Sequence, residues 1–246
     1  MHRMNINLNG GDMAGTLVYI MGPSGSGKDS LIAHARRSMN ALYLLNWNAS
    51  AHMRPGLRPV LFARRYITRP AAAGGERHIP LTEEEFQLFA AQGGFSMSWK
   101  SHELHYGIGS EIDLSLAKGA VVVVNGSRKY LPEAMRRYPE LLPVLVLARP
   151  EVLRGRLEQR GREASAEIGE RLSSASMNVS DIPGLIRLDN SDALEKAGAV
   201  FADMLVRLRR TRGNEAGDSI FTEISYDQHK NITFPRYSSP VADAAF

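Results

Sequence analysis

An apolar run, Leu17 to Met21, leads directly into the nonapeptide GPSGSGKDS, Gly22 to Ser30, and then into the helix-compatible stretch Leu31 to Ala35. A short buried strand, a glycine-rich turn and a helix in that order constrain this chain more than any other feature. Gly22, Gly25 and Gly27 permit positive φ and let the backbone close around an anion, with Pro23, Ser24 and Ser26 completing the turn. The amides of the turn and of the helix N-terminus then point inward at that anion. Lys28 adds a mobile charge able to reach the β- and γ-phosphates of a nucleotide. The usual pattern places a Ser or Thr after the lysine, where its hydroxyl helps hold Mg²⁺. Here that position is Asp29, with Ser30 one step later. A carboxylate is a good hard-oxygen ligand, so Asp29 and Ser30 are the candidate metal contacts and Gly22 to Ser30 the candidate ATP site. A glycine-rich turn without ligand is the bland alternative; the strand, lysine and helix in correct order argue against it.

The chain has 246 residues, 43% of them hydrophobic, enough to bury a full core in one domain with appendages. Of 30 basic residues only six are Lys, so 24 are Arg, and the formal net charge is +4. Arginine presents a planar fork that binds phosphate oxygens bidentately, which suits a protein handling several phosphates. Nucleic acid ranks low as a partner because no basic run interleaved with aromatics occurs. Without cysteine there is no disulfide, thiolate metal site or covalent cysteine chemistry. No apolar run approaches the roughly 20 residues that span a membrane, and residues 1–15 lack the plan of a secretory signal. A cytoplasmic location is the simplest expectation.

Taken in order, the chain reads as a leader at 1–15, a kinase-like domain at 16–210 and a tail at 211–246. The first helix is expected to end near Met39, with 40–59 loop-like apart from the apolar Ala41 to Leu45, and a strand at Val60 to Ala63. Thr82 to Glu85 forms a capping box whose helix ends near Gly93 and Gly94. Short strands are expected around Trp99 and Tyr106, then a small helix at 111–118. Ala120 to Val124 is an uninterrupted, mostly β-branched run, as in a parallel strand buried on both faces, and it ends in Asn125 to Arg128 at the edge where ligands sit. Leu141 to Ala148 is a further strand, followed by a helix from Pro150 to Gly161 and an amphipathic segment at about 164–176. Leu185 to Leu188 is a last core strand, with Ser191 expected to cap a helix reaching about Arg210. Strands alternating with helices behind such a loop imply an α/β P-loop fold, a parallel sheet with helices on both faces.

From Gly22 to about Arg210 the sequence resembles the guanylate kinase-like branch of the nucleoside monophosphate kinases. The resemblance rests on GPSGSGK at 22–28, Tyr66 to Arg69, His105 to Gly107, and the lid-like segment containing Arg160, Arg162 and Arg171. Within that branch it is most similar to the ribose 1,5-bisphosphate phosphokinases of phosphonate catabolism, through GKDS in the loop, RYITR at 65–69, EIDL at 111–114 and VNGSR at 124–128. Where guanylate kinases read guanine with acidic side chains, this chain has Met97 and Ser127. A second phosphate-gripping arginine of those enzymes falls at Ala72. The base pocket is thus lost while phosphate-binding groups remain. The segment 40–59 and the tail are departures from the closest relatives.

What the resemblance implies is transfer of the γ-phosphoryl of ATP to the 1-phosphate of ribose 1,5-bisphosphate, with Mg²⁺. Lys28, Arg160, Arg162 and Arg171 are the catalytic candidates. Arg65, Arg69, His78, Tyr106, Asn125, Ser127 and Arg128 are the acceptor-binding candidates. Bland readings stand beside these: Arg160 and Arg162 as solvated charges at a helix end, Trp99 and Tyr106 as core aromatics, His102 and His105 on opposite faces of a strand rather than a metal pair. Two other functions stay open at this point, a nucleoside monophosphate kinase of unusual specificity and a non-catalytic binding module.

Overall fold

The computed structural model describes residues 15–49, 57–71, 76–160 and 182–210. The proposed leader up to residue 14, the lid residues Arg162 and Arg171, Ala72 and the tail lie outside the described residues.

Five parallel strands make the central sheet: β1 (Thr16–Met21), β2 (Val60–Phe62), β7 (Val121–Asn125), β8 (Leu142–Leu147) and β9 (Ile186–Asp189), in the order β2-β7-β1-β8-β9. The two-residue period of a strand explains why these segments are apolar throughout. Val18, Ile20, Val121 and Val123 face one layer, packing with Leu31, Ala35 and Met39 of α1 (Lys28–Ala49) and Phe201 and Leu205 of α6 (Leu194–Leu208). Leu17, Tyr19, Met21, Val122 and Val124 face the other, against Ile112 of α3 (Glu111–Ala117) and Leu131 and Ala134 of α4 (Leu131–Arg137). Because all five strands run the same way, their carboxyl ends share one edge. The glycine-rich turn, Ala63 to Arg65, Asn125 to Arg128 and Asn190 are gathered there.

A second sheet, inserted between β2 and β7 in sequence, contains β3 (Arg65–Ile67), β4 (Ile79–Pro80), β5 (Phe95–Ser101) and β6 (Leu104–Gly109), in the order β4-β3-β6-β5. Strand β6 runs antiparallel to both β3 and β5, and β4 pairs parallel to β3. Helix α2 (Glu83–Ala91) carries the expected capping box, with Glu85 N–H on Thr82 Oγ1 and Thr82 N–H on Glu85 Oε2. Phe86 and Phe89 of α2 pack on Phe95, with ring centres 4.5 and 4.8 Å apart. Helix α5 (Pro150–Arg160) follows β8.

Four sequence expectations change. Helix α1 does not stop near Met39 but runs to Ala49, because no Gly or Pro interrupts Lys28 to Arg54. Helix α4, which the sequence reading passed over, starts beside Pro132; proline in a first turn opens a helix rather than breaking it. Ser191 does not cap α6, whose N-cap is Ala193 without a side-chain bond. Its hydroxyl instead accepts from Arg149 N–H and donates to Asp189 Oδ1, tying the loop after β8 to the end of β9. His102 is not in a strand: with φ of 47° it forms, with Glu103, the tight turn between β5 and β6. Among the described residues no helix is long and apolar enough to cross a membrane.

Candidate active site

The loop from Gly22 to Lys28 has the shape that its glycines forecast. Gly25 and Gly27 adopt φ of 81° and 88°. At Gly27 a Cβ would stand 2.3 Å from Asn190 Nδ2, so both conformation and close approach require glycine there. Asn190, at the end of β9, donates to Ser26 O at 2.7 Å and fixes the loop from behind. Arg156 of α5 reaches Gly25 O at 3.4 Å. Ser26 Oγ is buried within the loop without a hydrogen-bond partner among the described residues, a polar group whose satisfaction a bound anion would supply. Lys28 Nζ donates to Gly22 O and Pro23 O at 2.8 and 3.0 Å, folded across the loop that it serves.

Asp29 joins this loop to a second feature. A cleft of about 310 Å³ opens beside the first turns of α1, lined by Asp29, Ser30, Arg36, Arg64, Arg65, Glu76, Arg77 and Asn125 among others. Four guanidinium groups against two carboxylates make it a place for anions. Asn125 Nδ2 donates to Asp29 Oδ1 at 2.6 Å. None of the described residues form a cluster of three or more His, Cys, Asp or Glu that could cage a metal. That donor set fits Mg²⁺ held largely by nucleotide phosphates and water, with Asp29 as the protein's contribution and Ser30 beside it.

The expected acceptor residues divide into groups. Arg65 and Tyr106 come together, the guanidinium carbon 5.2 Å from the ring centre, and Tyr106 stacks on Trp99 with planes 4° apart. Arg65 is held by Glu76, donating to Oε1 from Nε at 2.7 Å and Nη2 at 2.6 Å. Arg69 pairs with His78 rather than lining the cleft. His78 is only 8% exposed, with its ring nitrogens 3.1 Å from Glu76 O and 2.9 Å from Arg69 O, so it staples the loop that carries Glu76. Ser127 is tied to Tyr19 through its backbone, and Arg128 is half-buried, where loss of hydration pulls its pKa down. The side chain of Arg160 lies outside the described residues. His105, on β6, sets its Nε2 3.0 Å from a Glu83 carboxylate oxygen.

Glu76 was not expected from sequence, and nothing in GGERH around it signals a role. Arg36 was readable: residues 29, 32, 33 and 36 follow helical spacing and all line the cleft. Met97, 1% exposed in the apolar layer under β7, is in no position to read a base edge.

A phosphate-binding loop, a carboxylate at the start of its helix and an arginine-lined cleft on one sheet edge define a P-loop kinase. A guanylate kinase from Anaplasma phagocytophilum shares the fold, with a TM-score of 0.52 at 13% identity over 80% of this chain and 88% of that one. No family model matches the sequence. A ribose 1,5-bisphosphate phosphokinase of Desulfomicrobium baculatum is 50% identical over 190 residues, 77% of this chain and 94% of the relative. One of Chromobacterium violaceum is 47% identical over 199 residues, 81% and 96% respectively. This chain belongs to the ribose 1,5-bisphosphate phosphokinase family.

Proposed function

We propose that the protein transfers the γ-phosphoryl group of ATP to the 1-phosphate of ribose 1,5-bisphosphate, forming 5-phospho-α-D-ribose 1-diphosphate and ADP in phosphonate catabolism. The observation that carries this reading is that the nucleotide loop and a cationic cleft meet at Asp29, so donor and acceptor phosphates have adjoining seats. An oxygen of the 1-phosphate attacks the γ-phosphorus, a new P–O bond forms, and the bond to the β-bridging oxygen breaks with ADP leaving. The second pKa of a phosphate monoester lies near ~6, so the nucleophile is already largely dianionic at neutral pH and no general base is assigned.

What remains is repulsion between two anions, which positioning and charge neutralisation overcome. Lys28, released from Gly22 O and Pro23 O, reaches the donor phosphates together with the loop amides. Asp29 and Ser30 would hold Mg²⁺, which supplies charge neutralisation at the β- and γ-oxygens. Arg65, oriented on Tyr106, faces the acceptor, and Arg36 and Arg64 add positive charge along the same cleft. Asn125, followed by Ser127 and Arg128 at the sheet edge, completes the acceptor side, while Arg69 and His78 brace the loop that carries Glu76 from outside the cleft. Arg160, Arg162 and Arg171 close over the transferring group as a lid.

Adding ATP, Mg²⁺ and ribose 1,5-bisphosphate to the protein tests this reading by ADP release. ADP formation that depends on the sugar phosphate, and falls by about 100-fold or more in Lys28→Ala, is expected. ADP formation indifferent to the sugar phosphate would refute it.

A further inference from the structure

A cleft for phosphates is built of cations, yet Glu76 sits inside it with only 15% of its side chain exposed. Its two oxygens are unequal. Oε1 is taken, with Arg65 Nε and Nη2 both donating to it. Among the described residues Oε2 receives one long bond, from Asn125 Nδ2 at 3.4 Å; that amide makes its good bond to Asp29 at 2.6 Å, and the Asp29 carboxylate is the close neighbour of Glu76. The orientation of Asn125 is set by chemistry, because a flipped amide would press its oxygen against two carboxylates.

A buried carboxylate oxygen short of donors calls for one that arrives with the ligand. A phosphate dianion is the wrong group, since it brings acceptors and like charge. The remaining polar groups of a furanose bisphosphate are its ring hydroxyls, neutral donors. We propose that Glu76 Oε2 accepts a hydrogen bond from a ring hydroxyl of the sugar acceptor, making Glu76 a specificity-determining residue that selects ribose over deoxyribose phosphates; this deepens the phosphokinase reading and rests on it.

The test compares kcat/KM for ribose 1,5-bisphosphate with that for its 2-deoxy and 3-deoxy analogues, in wild type and Glu76→Gln. Wild type should reject one of the two analogues by about 100-fold or more. The Gln variant should lose about 10- to 100-fold more on ribose 1,5-bisphosphate than on that analogue, so that discrimination collapses on top of any loss common to all sugars from the altered hold on Arg65. Equal losses on all three sugars would overturn the proposal, reducing Glu76 to a prop for Arg65. Equal losses cured by raising Mg²⁺ would overturn it in favour of a metal-bound water. A wild type that accepts all three alike overturns it with no variant needed. Turnover of none of the three is a different result, which removes the phosphokinase reading itself and this proposal with it.

Discussion

Tyr19 has no solvent contact, and its hydroxyl donates to Ser127 O at 2.8 Å while accepting from Ser127 N–H at 3.0 Å. Gly126 passes so close that a Cβ would stand 2.0 Å from the ring. Burial drives the phenol pKa far above its ordinary value, so this clamp on the end of β7 stays neutral. Tyr19→Phe strands both backbone groups of Ser127 and should cost about 1–3 kcal/mol in urea unfolding; a change below about 0.5 kcal/mol would contradict this role. Glu76 gives a pH prediction. Its folded pKa is raised, so the stability linked to its titration is fully present below the unfolded pKa and lost as pH rises through the folded one. The stability of wild type relative to Glu76→Gln should therefore fall as pH climbs from the ordinary carboxylate range toward neutrality, read by unfolding at a series of pH values. A relative stability that climbs instead would show that pairing with Arg65 outweighs burial. Lys28, Asp29 and Asn125 were legible because each sits in a contiguous pattern next to a strand. Glu76 was not, since its position depends on a loop from the second sheet folding back on β7, and that contact leaves no local periodicity.

Elements were read best where chemistry at their ends is local. Thr82 and Glu85 announce α2 by spacing alone, and Thr82→Ala should cost about 0.5–2 kcal/mol, measured by thermal unfolding. Thr82→Ser should be nearly neutral by the same measurement, because it keeps the hydroxyl. The strands of the central sheet were legible as apolar runs, and β5 and β6 as alternation around Trp99 and Tyr106, without the turn at His102 and Glu103 that joins them. Errors fell where a residue has two meanings. Pro132 can break a helix or open one, and only its place at the first turn of α4 decides. Ser191 has the right type for a cap but is used to tie two loops, since its neighbour Asp189 offers an acceptor first. Asn40, Asn46 and Asn48 are weak helix formers, yet Ala41, Leu42, Leu44 and Leu45 between them are strong ones, and without a breaker such a stretch does not end a helix that is already nucleated.

At the scale of the molecule, the fold follows from one sheet buried on both faces, with the glycine-rich turn, Asp29 and Asn125 at its carboxyl edge and Arg65 and Glu76 brought there by the second sheet. Phe201 of α6 is 1% exposed in the layer between α6, α1 and the sheet. Phe201→Ala should cost about 3–5 kcal/mol in urea unfolding, and a loss under about 1 kcal/mol would mean that this layer is not the core of the fold. The parallel sheet was predictable from the alternation of strands and helices; the separate second sheet was not, because its strands are short and its pairing is non-local. The cleft lies between the two, and of the four arginines on its walls, Arg36, Arg64, Arg65 and Arg77, only Arg65 was named from sequence, because the others belong to no contiguous motif. The most direct measurement is phosphorus NMR of the products when ribose 1,5-bisphosphate and GMP compete at equal concentration for ATP·Mg²⁺. A new diphosphate on the sugar, with GMP untouched, is the expected spectrum. Formation of GDP with the sugar bisphosphate unchanged would contradict the assignment of the acceptor.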